Sequence, residues 1–229
     1  MKSSERQIMI QNRKYKYILW DMDGTLINSE PQHYRAWMRT FKEKFGIGNV
    51  PWDIYKGCIG AKRTKIVEIM KENYGVDIDT PGINETFEAH RAEVVKEEGF
   101  APIPGVKEVL EALKGAGFTM AIASSSHQEI IREKMTGIGC IECFEILFSS
   151  DRVKNGKPAP DTFLECADTL GAPYEECIVV EDSENGTLAA RAAGMYCIGF
   201  VNPGSGDQNL SAADALVKDL REIPALLEG

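Results

Sequence analysis

Short apolar runs recur along this chain, separated by longer stretches in which apolar and polar residues alternate at helical spacing. The runs are Tyr17–Trp20, Phe118–Ala123, Glu145–Phe148, Cys177–Val180 and Tyr196–Phe200. Runs this short, bounded by turn-forming or charged residues, read as buried strands rather than helices. Helical patterns lie between them at Val106–Lys114, Gln128–Met135, Pro160–Leu170 and Glu184–Ala193. Strand and helix in alternation predict βαβ units, hence an α/β fold: a doubly wound, Rossmann-like parallel sheet with helices on both faces. One block breaks the alternation. From Pro31 to about Glu98 the sequence is charged and helix-forming, with helices expected at Pro31–Phe45, Ala61–Tyr74 and Gly82–Glu97. The first strand must join the later ones, because alone it would leave its apolar side chains uncovered. The helical block is therefore an insertion. The expected organisation is an N-terminal extension (1–16), an α/β core domain (17–30 and 100–229) and an all-helical cap domain (31–99), with a Pro- and Gly-containing connection at 99–105.

Composition narrows the classes of partner. The 229 residues carry a formal net charge of −9, which disfavours non-specific binding to nucleic acid or to an anionic membrane surface. No apolar stretch approaches the length needed to span a bilayer, and the polar, basic N-terminus does not read as a signal peptide. The cysteines at 58, 140, 143, 166, 177 and 197 are then expected to be reduced thiols of a cytoplasmic protein. Cys140-Ile141-Glu142-Cys143 fits a CxxC pattern but has no second ligand pair nearby, so it reads as structural. A monomer is expected.

The chemistry gathers where strands end. Tyr17–Trp20 runs into Asp21-Met22-Asp23-Gly24-Thr25-Leu26, two acids two residues apart in the place where α/β sheets bind ligands. Such a pair can divide labour between nucleophile and proton carrier, and its mutual repulsion invites a divalent cation. A calcium loop is the alternative, but Leu26 and Ile27 follow in place of further oxygen ligands. The second strand ends in Ser124-Ser125-Ser126, hydroxyls and N–H groups suited to an oxyanion. After the third strand, Pro158 and Pro160 hold Lys157 in an extended segment just ahead of a helix. The fourth ends in Glu181-Asp182-Ser183, further oxygen ligands for a metal. Acids, hydroxyl, lysine and acids at successive strand ends are the equipment of phosphoryl transfer.

This set resembles the haloacid dehalogenase superfamily, whose four motifs match Asp21–Leu26, Ser124, Lys157–Pro158 and Glu181–Asp182. The helical insertion, and Val180–Gly186 continuing to Ala193-Gly194-Met195, look most like its β-phosphoglucomutase-like subgroup. The resemblance implies Asp21 as a nucleophile that forms an aspartyl-phosphate and Asp23 as general acid/base. It implies Mg²⁺ held by Asp21, Asp182 and the backbone oxygen of Asp23, with Glu181 in support. Ser124 and Lys157 would hold the transferring phosphoryl group. Ser125, Ser126, His33 and Arg63 are the substrate-binding candidates, the last two on the insertion. The chain departs from the mutase pattern at His127, where those enzymes carry lysine, and at Thr25, where they carry valine. Both departures favour a phosphatase acting on a small phosphorylated metabolite, a sugar phosphate in particular. A sugar phosphomutase is the alternative, and a non-catalytic phosphorylatable module is the reading from another class.

Overall fold

A computed structural model describes residues 14–59 and 63–228. Most of the expected N-terminal extension falls outside these residues, as does the side chain of Arg63. The chain divides into two compact units. One comprises the described residues up to Asn28, Ala101–Asn202 and Gln208 onward; the other comprises Ser29–Phe100 with Pro203–Asp207.

The first unit is built on six parallel strands: β1 (Tyr17–Trp20), β2 (Thr119–Ser124), β3 (Ile146–Ser149), β4 (Cys177–Glu181), β5 (Tyr196–Phe200) and β6 (Ala215–Val217). Their order across the sheet is β3-β2-β1-β4-β5-β6, with β1 between β2 and β4. The order reverses at β1, the switch point beside which doubly wound sheets bind ligands. Pairing Trp20 with both Ile122 and Val180 brings the carboxyl ends of β1, β2 and β4 to one edge.

The strands are apolar because both faces are covered. Leu19, Ala121, Ala123 and Val179 pack with Phe163 and Ala189 in one core cluster. Ile18, Trp20, Met120, Ile122, Ile178 and Val180 alternate with them and are equally buried. The second unit starts with α1 (Glu30–Phe45), α2 (Trp52–Lys56), α3 (Arg63–Tyr74) and α4 (Ile83–Glu98). Pro31 suits the first turn of α1, and Gly46, at φ 69°, ends that helix in the left-handed region. Phe41, Val50, Tyr55, Met70, Ile78 and Ile83 form this unit's own core. The remaining helices, α5 (Val106–Gly115), α6 (Gln128–Gly137), α7 (Asp161–Leu170), α8 (Glu184–Ala192) and α9 (Ile223–Glu228), belong to the sheet unit.

The helices expected at Pro31–Phe45 and Gly82–Glu97 form within a residue of their expected ends. The short helix α2, the edge strand β6 and the terminal helix α9 were not expected from the sequence pattern. No helix among the described residues is long and apolar enough to cross a membrane.

Candidate active site

Asp21 follows β1 directly, and its N–H donates to the Val180 carbonyl at 2.9 Å, which carries the β1–β4 pairing one residue further. The chain then turns. Leu26 and Ile27 N–H both donate to the Met22 carbonyl, and Gly24 supplies the positive φ (85°) that this tight reversal needs. Met22 is fully buried between the two acids. Thr25 Oγ1 donates to Asp182 Oδ1 at 2.8 Å, tying the β1 loop to the end of β4.

Asp21, Glu181 and Asp182 are all buried, and one carboxylate oxygen from each lies within 4.8 Å of the others. Lys157 reaches into this cluster from the turn before α7. Its Nζ donates to Asp21 Oδ1 at 2.6 Å, to Glu181 Oε1 at 2.9 Å and to the Ala123 carbonyl at 3.0 Å, and lies 4.7 Å from the centre of the Phe163 ring. Burial alone would lower the lysine's pKa, but the charges of Asp21 and Glu181 outweigh it and raise the value, so the ammonium stays charged. For Asp21 the balance goes the other way. Burial, with Glu181 and Asp182 adding to it, lifts its carboxyl well above the ordinary range despite Lys157. Three buried acids facing one ammonium leave surplus negative charge, and oxygen donors this close suit a divalent cation. The residues present therefore fit the Mg²⁺ that the resemblance implies.

A cavity of about 240 Å³ opens here, lined by Asp21, Asp23, Ser124–Ser126 and Lys157, with Glu181, Ser183 and Asn185 completing it. Ser124 ends β2, is 2% exposed, and accepts the Ser126 N–H at 3.1 Å, which leaves its hydroxyl proton able to donate. Ser126 Oγ donates to Asp23 Oδ2 at 2.9 Å. Ser125 lines the cavity as well. Thus Asp21, Asp23, Ser124, Ser125, Ser126, Lys157 and Glu181 share one cavity, with Asp182 in the cluster beneath.

His33 lies elsewhere. It sits on α1, edge-on to Phe87, and lines a separate cavity of about 190 Å³ inside the helical unit with Glu30, Trp37 and Tyr55. His127, which replaces the mutases' lysine, is 81% exposed and bonds Asp151 Oδ2 at 2.8 Å. Burial raises the pKa of the Cys140 and Cys143 thiols, which keeps them protonated and poor nucleophiles.

The sequence reading missed two contributors. Asn202 Nδ2 donates to the Gly24 carbonyl at 2.7 Å and braces the β1 loop from beyond β5. Lys134, on α6, forms an ion pair with Asp23. Its signal was present: Ile131, Lys134, Met135 and Ile138 share one stripe of the helix, and a lysine there is out of place.

A doubly wound sheet with acids, a serine and a lysine at its strand ends is the arrangement of a Rossmann-like phosphate-handling hydrolase. The model of the haloacid dehalogenase-like hydrolases matches residues 18–200, and the chain belongs to that family. It is 33% identical over 188 residues to the fructose-1-phosphate phosphatase YqaB of Escherichia coli (strain K12), covering 81% of this chain and 96% of that one. It is 32% identical over 211 residues to hexitol phosphatase A of the same organism, covering 91% and 93%. Among solved structures, a putative β-phosphoglucomutase from Thermotoga maritima superposes with a TM-score of 0.75 at 27% identity, over 93% of this chain and 98% of that one.

Proposed function

We propose that this protein is a Mg²⁺-dependent phosphatase that hydrolyses a small sugar phosphate through an aspartyl-phosphate on Asp21. One observation carries the reading: a buried carboxylate cluster, a charged lysine and a serine hydroxyl meet in one cavity at the strand ends. The similarity to fructose-1-phosphate and hexitol phosphatases supports the substrate class.

Asp21 attacks as the anion, which Lys157 favours and a bound divalent cation would favour further; a carboxylate O–P bond forms and the ester P–O bond breaks. The departing alkoxide takes a proton from Asp23. Water then attacks the aspartyl-phosphate, gives its proton to Asp23 and releases phosphate, which restores Asp21. Lys157 turns one of its N–H groups from Asp21 to a phosphoryl oxygen, and Ser124 donates to a second. A divalent cation, held by Asp21, Asp182 and the Asp23 backbone oxygen with Glu181 in support, would neutralise charge on the non-bridging oxygens. His33 and Arg63, on the helical insertion, are proposed to contribute to the choice of substrate.

The test is phosphate release from a panel of phosphorylated sugars and polyols, with and without Mg²⁺. Asp21→Asn and Asp23→Asn are expected to lose at least about 10³-fold in kcat while remaining folded. The panel should include β-glucose 1-phosphate with a bisphosphate activator, followed for glucose 6-phosphate. Isomerisation without net phosphate release would reassign the chain to the mutases. No turnover of any phosphoester, or full rate in either variant, would sink the enzyme reading.

A further inference from the structure

Lys134 is a costly residue where it stands. It lies on the inward stripe of α6 beside Ile131 and Met135, and its side chain is only 4% exposed. Lysine is almost never buried to this extent without a partner, because removing an ammonium from water costs several kcal/mol. Its partner is Asp23, whose Oδ1 lies 2.5 Å from Lys134 Nζ. The other oxygen, Oδ2, accepts from Ser126 Oγ at 2.9 Å. Both oxygens of the carboxylate are therefore held, from two different directions.

The placement of these groups separates their roles. Asp23 and Ser126 line the cavity, whereas Lys134 does not. Asp23 is 30% exposed and open to a ligand, while the ammonium sits behind it. A cation meant for the phosphoryl group would face the cavity, as Lys157 does. Lys134 instead touches the group assigned to move the proton.

We infer that Lys134 is a positioning residue: through its ion pair it fixes the Asp23 carboxyl where it can meet the oxygen of the leaving group. This inference rests on the phosphatase reading, because it is Asp23's proton transfer that the placement would serve. Protonated on Oδ2, with the Ser126 hydroxyl turned aside, Asp23 keeps the Lys134 contact at Oδ1 and has little freedom to turn away, and small displacements of a proton donor cost much of its effect. With Lys134 replaced by methionine, the carboxyl loses the ion pair that holds Oδ1 and with it a fixed direction.

Leaving groups of different basicity isolate this role. A sugar alkoxide must be protonated as it departs, whereas 4-nitrophenolate is stable as an anion and departs without a proton. Single-turnover rates of ester cleavage should therefore separate in Lys134→Met. Cleavage of the best sugar phosphate falls about 10- to 100-fold, a share of what general acid catalysis supplies. Nitrophenolate release from 4-nitrophenyl phosphate stays within about twofold of wild type. Lys134→Arg, which keeps the charge, recovers part of the sugar phosphate rate. A uniform loss on both substrates would mark a merely structural lysine, and wild-type rates on both would remove any role; either result overturns the inference. If Lys134→Met does not fold by circular dichroism, Lys134→Gln must produce the same substrate-dependent split, or the inference fails.

A crystal structure of Lys134→Met supplies a readout without turnover. Asp23 is expected in a second side-chain rotamer, and an unmoved carboxylate would overturn the proposal. An Asp23 that moves in a protein whose wild type cleaves no phosphoester would instead count against the phosphatase reading alone.

Discussion

Gly186 illustrates how closely single atoms constrain this site. It lies in the first turn of α8, where its N–H donates to Ser183 Oγ at 3.1 Å. A Cβ built on it would fall 1.7 Å from Glu181 Oε1 and 1.8 Å from Glu181 Cδ. Glu181 has nowhere to go. It is 1% exposed, Oε1 accepts from Lys157, and Oε2 accepts from both the N–H and the hydroxyl of Ser183. Gly186→Ala should therefore cost about 1–3 kcal/mol by overpacking and should lower kcat, because Lys157 loses one of its three acceptors. Gly115, in the last turn of α5, is the control: a Cβ there meets nothing within 4 Å. Gly115→Ala is expected to stabilise by about 0.5 kcal/mol through the unfolded chain, with kcat unchanged. Urea unfolding and steady-state rates on both variants decide the matter, and equal effects of the two alanines would refute the account. The sequence made Asp21, Asp23, Lys157 and Glu181 legible, because each follows an apolar strand at the same sheet edge. It hid the demand on Gly186, which arises from a carboxylate folded back over the helix start.

Among the elements, α1 and α4 make the most extensive helix pairing of the helical unit. Trp37 is its centre, stacked on Phe87 with ring centroids 4.4 Å apart and on Phe41 at 5.1 Å. The ion pairs at the margin, such as Arg39 with Glu97 at 2.6 Å, are solvent-exposed and add little. Trp37→Ala is expected to cost about 3 kcal/mol, the low end for a large aromatic because the indole is only half-buried. A double-mutant cycle with Phe87→Ala should give a coupling of about 0.5–1.5 kcal/mol. Additive losses would mean that the stacking is incidental to burial. These long helices were legible because sixteen charged, helix-forming residues without a strand-like run override local ambiguity. Shorter elements were not. The five residues of α2 are too few to reveal a period. Strand β6 is three residues long and leaves its central Leu216 58% exposed at the sheet edge, so it shows no apolar run. Pro203–Asp207 groups with the helical unit although it follows β5 in sequence, which local pattern cannot reveal.

For the molecule as a whole, the buried acids make stability depend on pH and on cations together. Asp21 has a folded-state pKa raised above its unfolded value of 3.8, chiefly by burial. Its contribution is therefore fully present below that unfolded value and is lost as pH rises through the higher folded one. In chelator, the wild type should lose this contribution as pH rises above about 4, and Asp21→Asn, which cannot ionise, should not. The difference in melting temperature, variant minus wild type, should accordingly grow as pH rises, and a difference constant with pH would refute the assignment. A divalent cation bound to the ionised cluster in the folded state only would reverse the balance. At about 100 times its dissociation constant this linkage is worth about 2.7 kcal/mol, or roughly 5–10 °C for a chain of this size. Asp182→Asn removes one of the repelling charges, so in chelator it should melt at or above the wild type. Adding Mg²⁺ should then raise the wild type past the variant. The crossing of the two melting temperatures is the decisive signature, because a surface site for the cation would lift both proteins alike. Variant and wild type rising in parallel would therefore detach cation binding from Asp21, Glu181 and Asp182.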